Sequence, residues 1–449
     1  MTSLVVTSAL FRDMFGTRAM RQVFSDDALI RRYLEVEAAL ARAQATVGVI
    51  PQEAADAIGT AADPDRLHRD KLREKTELVG YPIVAVVEQL SALVGEHGRW
   101  VHYGATTQDI MDSTTVLQIR EGLDLIAADL NATRDALADL ARTHADTPMP
   151  GRTHLQHALP ISFGQKCAVW LSILDRHAHR LWETRTRVEV GAFSGAAGTL
   201  ASLGEDGLAV RDAFFAELGL AAPSMTWHTA RDALAETTGF LALLAGGLGK
   251  IALDVSLMTQ TEVGEAFEPF QPGRGASSTM PQKRNPISCE LILAAAKITR
   301  QQHGTMLDAL VQDHERATGP WHAEWHALPE CFVVTAGALH HARTLLSGLE
   351  VDPARMRSNL DLTGGMIVAE AVMMALAPVI GREEAHHRVY KCCRRSLAEG
   401  ISFLDALQED PVIAPATTLN ELTRLTDPAN YMGMGPALVK RFLAERGDG

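Results

Sequence analysis

A chain of 449 residues with 47% hydrophobic content can fill the cores of two or three domains and is not a disordered chain. Its 55 acidic against 42 basic residues, a formal net charge of −13, argue against general nucleic-acid or anionic-membrane binding. An anionic small molecule would therefore need a local cluster of cations.

Five scattered cysteines, Cys167, Cys289, Cys331, Cys392 and Cys393, include no CxxC pair and no zinc-ligand spacing, which fits reduced thiols. The N-terminus lacks a basic leader, and no run of apolar residues approaches the ~18 of a membrane span, so the chain is expected to be cytoplasmic.

In chain order, Ser25-Asp26-Asp27 is a helix start, a cap followed by two acids at the positive end of the dipole, and Gly48 and Pro51 stop that helix. An apolar-rich segment from Thr76 to Gly98 leads into His102-Tyr-Gly-Ala-Thr-Thr-Gln-Asp109. Thr106 and Thr107 there can cap the next helix, and a helix N-terminus is itself an anion site. From Asp109 to about Ala145, apolar residues at Ile119, Leu123, Ile126, Leu130, Leu137 and Leu140 recur every three or four positions, which predicts a long bundle helix.

Four further long helices are predicted over Pro160 to Val190, Asp232 to Glu262, Pro286 to Arg316 and Leu328 to Ser347, with no strand pattern between them. His154 follows the Pro148/Pro150 break and is predicted at a helix end. His154 and His157 stand at i, i+3, a spacing that suits a metal on a helix, but no third ligand accompanies them. Long helices with two apolar faces bury themselves only against partners, so the chain is expected to oligomerise. Beyond Thr363-Gly-Gly365 the pattern shortens. The expected organisation is all-α, with an N-terminal helical domain 1–108, a central bundle of five long helices 109–362 and a small C-terminal domain 363–449.

Between two helical patterns lies Gly273-Arg-Gly-Ala-Ser-Ser-Thr-Met-Pro-Gln-Lys-Arg-Asn285, a polar loop with glycines, a proline and three cations. A hydroxyl at Ser277, an ammonium at Lys283 and a carboxamide at Asn285 suit a carboxylate or an enolate-like dianion, which needs charge neutralisation and a directional donor.

This loop resembles the Gly-Ser-Ser-x-Met-Pro-x-Lys-x-Asn-Pro signature of the fumarase/aspartase superfamily, with Ala276 in the first position. His102–Asp109 and Gly151-Arg-Thr-His-Leu-Gln-His-Ala-Leu-Pro160 are similar to the two other superfamily blocks, in the same order. The resemblance implies a homotetramer in which each active site collects its blocks from three chains, with no cofactor and no catalytic metal. Carried onto this sequence, it implies Ser277 and His154 as catalytic groups. Thr106, Thr107, Thr153, Gln260, Ser278, Lys283, Asn285 and Arg316 would bind a small polycarboxylate.

Glu315-Arg316 resembles the phosphate-holding region of adenylosuccinate lyase, but His322 and Trp325 stand where that enzyme has a serine and an arginine. A nucleotide substrate is therefore not expected. Leu10-Phe-Arg-Asp-Met-Phe-Gly-Thr, Gly195–Gly204, Gly319-Pro-Trp-His-Ala-Glu-Trp and the segment from Glu370 are instead similar to the bacterial 3-carboxy-cis,cis-muconate cycloisomerase family. Gln282, similar to argininosuccinate lyase at that position, keeps open a carbon–nitrogen lyase releasing fumarate.

Overall fold

The computed structural model describes residues 5–276 and 279–447, so two expected site residues, Ser277 and Ser278, lie outside the described residues. The fold is all-α and dominated by long helices. Helix α1 (Asp26–Val47) starts where Ser25 accepts from the amide of Ala28, and it ends at Gly48, whose φ of +88° only glycine adopts without strain. Helix α2 (Pro82–Val94) uses proline in its first turn, where the missing N–H costs nothing.

The five long helices are α3 (Thr107–Thr143), α4 (Phe163–Val188), α5 (Asp232–Met258), α6 (Ile287–Asp308) and α7 (Pro320–Ser347). At 37 residues, α3 runs about 55 Å at a rise of 1.5 Å per residue. Three bounds differ from the sequence expectation by four residues or more. Helix α6 stops at Asp308 rather than Arg316, and α5 stops at Met258 rather than Glu262. Helix α7 starts eight residues early at Pro320 and carries Pro329 inside, because proline at the first position favours a helix and one lost interior bond does not end it when the helix is packed.

The expectation that no strand interrupts these helices is also corrected. Strands β1 (Pro148–Thr153) and β2 (Gln156–Ser162) pair antiparallel, Met149 opposite Ile161 and Thr153 opposite Gln156, with a register shift between Pro150 and Arg152. Three prolines in and beside the ladder hid it, since proline depletes strand composition while being tolerated in a short two-stranded ribbon. A second correction concerns α5, which is long and apolar enough by length and composition to cross a membrane, although over half of that stretch is buried inside the protein.

By internal packing the chain divides into two compact units, Met1–Leu130 with Arg176–Leu248 and Leu291–His340, and Asn131–Asp175 with Gly249–Glu290 and His341–Gly449. The first unit packs Tyr33, Leu34, Leu117, Phe193, Phe214 and Trp321 into its core. The second has its own cluster around Leu360, Val372, Phe403, Leu407 and Ile413. Burial of each such side chain contributes about 1.5–3 kcal/mol. All five cysteines are free, four of them buried.

Candidate active site

The first sequence block is built from behind by buried polar groups. Thr107 opens α3, and Asp109, in its first turn, is wholly buried. Its carboxylate accepts from the backbone amides of Thr106 (2.9 Å), Ser194 (2.8 Å) and Gly195 (3.0 Å) and from His228 Nε2 (2.8 Å). Four donors fill the acceptor capacity of one carboxylate, so three loops are locked to the helix start. Asp109 reaches back to the Thr106 amide, so the cap of this helix start is made by the acid and not by the hydroxyls of Thr106 and Thr107 expected to supply it.

His102, in the same block, has φ +61° and is held by Glu37, a carboxylate 2% exposed on α1. Its Nδ1 lies 2.6 Å from Glu37 Oε1, and its amide donates to Oε2 at 3.1 Å. Burial opposes charge on this imidazole, but the carboxylate outweighs it and raises His102 above the usual histidine range. Gln44, two turns along α1 from Glu37, donates to Tyr103 O. His102, Glu37 and Gln44 were not among the expected site residues. The available signal was a carboxylate and an amide seven residues apart on an otherwise apolar stripe.

Below Thr107 sits a buried ionic cluster. Arg231, 2% exposed, donates twice to Asp112 (2.6 and 2.9 Å) and binds Glu324 through Nε (2.9 Å) and Nη2 (2.5 Å). Trp321 Nε1 donates to Asp112 (3.2 Å) and Gln312 to Glu324 (3.0 Å). Burial pushes the Glu324 carboxyl up, against the pull of Arg231. Gln108 joins this cluster to Arg316, whose Nε donates to its amide oxygen at 3.1 Å. The structure thus brings Thr106, Thr107 and Arg316 together in the first unit. Beside them Trp321, His322, Trp325 and Tyr81 form one aromatic cluster, with 4.4 Å between the rings of His322 and Trp325 and 5.0 Å between the two tryptophans.

The second block lies in the other unit, and the expectation of a helix end for His154 is corrected: it is the tip of the β1–β2 hairpin. His154 (φ +52°) and Leu155 (φ +62°) are the two turn residues, both left-handed and both exposed. Two left-handed central residues are the turn that matches strand twist, and they are normally Asn-Gly. Holding non-glycine residues there costs on the order of 1–3 kcal/mol each, and strain of this kind gathers at functional sites. The hairpin is anchored by Arg152, which binds the fully buried Glu265 with two hydrogen bonds (2.9 and 2.7 Å), and Asn359 donates to the same carboxylate (2.8 Å). Burial, then the nearby Arg152, lowers His157. Thr153 and Gln260 are exposed, Gln260 just past the end of α5, where its carbonyl closes a turn with the amides of Val263 and Gly264.

The signature loop, also in this unit, has a fixed neck. Asn285 N donates to Gly275 O at 2.9 Å, and Ala276 bridges to Arg284. Arg284 lies over the rings of Phe267 and Phe270 and donates to Glu268 O (2.8 Å) and Glu350 (3.1 Å). Gly275 has φ +67°, and a Cβ there would lie 2.4 Å from Asn285 O, so this position demands glycine. Ala276 does not adopt a positive φ, and its departure from the signature carries no such strain. Lys283 is exposed, and Asn285 half-buried.

Among the described residues no group of three or more His, Cys, Asp or Glu side chains is arranged to hold a metal ion. Burial pushes the Cys331 thiol up to about 12 and the Cys392 thiol up to about 11, which leaves neither as a nucleophile near neutral pH.

The chain thus combines a long-helix scaffold with a buried-acid-capped helix start, an exposed left-handed histidine and a polar loop carrying Lys283 and Asn285. A lyase family model matches residues 13–299, and an adenylosuccinate lyase C-terminus model matches 365–442. The chain belongs to this lyase family, within the fumarase/aspartase superfamily. It is 48% identical to 3-carboxy-cis,cis-muconate cycloisomerase of Pseudomonas aeruginosa, over 98% of this chain and 97% of that protein. Among solved structures it resembles a fumarate lyase from Mesorhizobium sp. BNC1 (54% identity, TM-score 0.91, 96% of this chain and 98% of that one). It also resembles the 3-carboxy-cis,cis-muconate lactonizing enzyme of Pseudomonas putida (44% identity, TM-score 0.94, 98% and 99%).

Proposed function

We propose that the protein is a 3-carboxy-cis,cis-muconate cycloisomerase, forming 4-carboxymuconolactone in aromatic catabolism. The observation that carries this reading is the 48% identity to a cycloisomerase over almost the full length of both chains. The site chemistry agrees, because beside the aromatic cluster of Trp321, His322 and Trp325 the cation Arg231 is already taken up by Asp112 and Glu324, whereas Arg316 remains for a carboxylate.

In this reaction one carboxylate oxygen of a tricarboxylate diene bonds to a carbon of a double bond. The π electron pair moves to the adjacent carbon, which takes up one proton. Charge collects on the carboxylate next to that carbon, and Lys283 with preorganised donors stabilises the dianion. Ser277 is the proposed proton donor in this direction and His154 its partner in proton transfer, with Thr106, Thr107, Thr153, Gln260, Ser278, Asn285 and Arg316 binding the carboxylates.

The working form is a homotetramer with sites shared by three chains. Supporting this are exposed apolar residues on the long helices, including Val169, Trp182, Leu243, Leu253 and Leu307, which a lone chain leaves in water. Sedimentation is expected to give a tetramer, and an active monomer would end the shared-site reading.

Gln282 and the resemblance to the fumarate lyase of Mesorhizobium sp. BNC1 favour a second reading, a carbon–nitrogen lyase releasing fumarate. Ultraviolet absorbance decides between them. Loss of the conjugated-diene band of carboxymuconate is expected, and turnover only of fumarate with amines would favour the lyase.

A further inference from the structure

We infer that Gln108 is a positioning residue for this reaction: its side-chain amide ties Arg316 to the buried Asp112–Arg231–Glu324 cluster and fixes the guanidinium before substrate arrives. The inference rests on the reading that Arg316 holds a substrate carboxylate.

Gln108 is wholly buried in the first turn of α3, between Thr107 and Asp109. A buried amide is stable only when its donors and acceptor are matched. Its Nε2 donates to Asp112 Oδ2 at 3.1 Å and to His228 O at 2.8 Å, and Oε1 is left to accept from Arg316 Nε at 3.1 Å. The orientation is unambiguous, since a flipped amide would set its oxygen against a carboxylate and a carbonyl and its NH2 against a guanidinium.

The anchor behind it is rigid. Asp112 is gripped by two hydrogen bonds from Arg231 and one from Trp321, and Arg231 is closed on its other side by Glu324. His228, the second anchor, is bound to Asp109, which also holds Thr106. Arg316 itself depends on this one contact. Its Nη2 is buried with no hydrogen-bond partner, and among the described residues Gln108 supplies its one polar bond. Without it the long arginine side chain would regain rotamers that substrate binding then has to freeze out.

The test uses purified full-length enzyme, carboxymuconate as substrate, and Gln108→Met, Arg316→Ala and the double variant. Arg316→Ala is expected to raise KM by roughly ten-fold or more, and Gln108→Met by roughly ten-fold with a smaller change in kcat, the scale of one hydrogen bond to a charged group. The double variant should match Arg316→Ala within about two-fold, because a residue that acts through Arg316 has nothing to add once it is gone. An unchanged KM for Gln108→Met, or a double variant whose loss is the product of the two single losses, overturns the inference. An unchanged Arg316→Ala enzyme sinks the underlying reading of Arg316, a separate result. Should Gln108→Met lose its helical circular dichroism, Gln108→Asn carries the same cycle, since its shortened amide cannot span Asp112 and Arg316.

Discussion

The helix start at Thr106–Asp109 and the hairpin tip at His154–Leu155 belong to the same family signature but are built in different ways. Around Thr106 the backbone is held from within the chain, by an Asp109 carboxylate with four donors and a Glu37 buried behind His102. At the hairpin tip the anchor is two residues back in β1, at Arg152–Glu265, and His154 itself stands exposed at a positive φ. The contrast teaches which groups a single chain can preorganise. Left-handed backbone occurs on both sides, at His102 as at His154 and Leu155, but the His102 imidazole is held by a buried carboxylate of its own chain whereas His154 and Leu155 stand exposed.

The largest effect should come from the groups proposed to move the proton. Ser277→Ala, at a position outside the described residues, is expected to lower turnover by at least ~10²-fold with substrate affinity within a few fold. His154→Asn keeps a residue that tolerates the left-handed turn and so tests the imidazole without undoing the hairpin. Solvent deuterium incorporation into product reads both variants. If Ser277→Ala still exchanges the carbon proton at the parent rate, His154 becomes the first alternative.

Next, Arg231→Met tests the inward-facing region. It leaves Asp112 and Glu324 buried without their cation, and breaking such a cluster costs about 3–5 kcal/mol, to be measured by urea denaturation. A loss below about 1 kcal/mol would mean that water reaches these carboxylates and that the region is not preorganised in the sense argued.

A smaller, pH-dependent effect is expected at Glu37→Gln. His102 is raised in the folded protein, so its contribution to stability is full below the ordinary histidine value of about 6.5 and is lost as pH rises through the folded value. Removing the carboxylate should flatten that decline above neutral pH in thermal melts. An unchanged pH profile would show that Glu37 does not hold the charge.

The smallest effect is at Leu155→Gly. Relief of a left-handed leucine should stabilise the protein by up to about 1 kcal/mol. A lower melting temperature instead would show that Leu155, exposed in the single chain, is buried by another subunit in the assembly.

Much of the fold was legible in the sequence because helix signals are local. The three- and four-residue spacing of Ile119 to Leu140 and the Ser25 cap need no distant partner to act, and α1 and α3 fall where that pattern places them. The family was legible for a different reason, since the candidate site residues Thr106, Thr107, His154, Lys283 and Asn285 sit in short contiguous motifs. What only the tertiary structure decided is how those motifs are held. The β1–β2 hairpin formed against its proline-rich composition because Arg152 found Glu265, 113 residues away. Arg316 found Gln108 across 208 residues, and Asp109 found His228 across 119. Pairings of buried charge leave no periodic trace along a chain. They are set by which polar groups the packed helices strand away from water, and therefore by the tertiary structure alone.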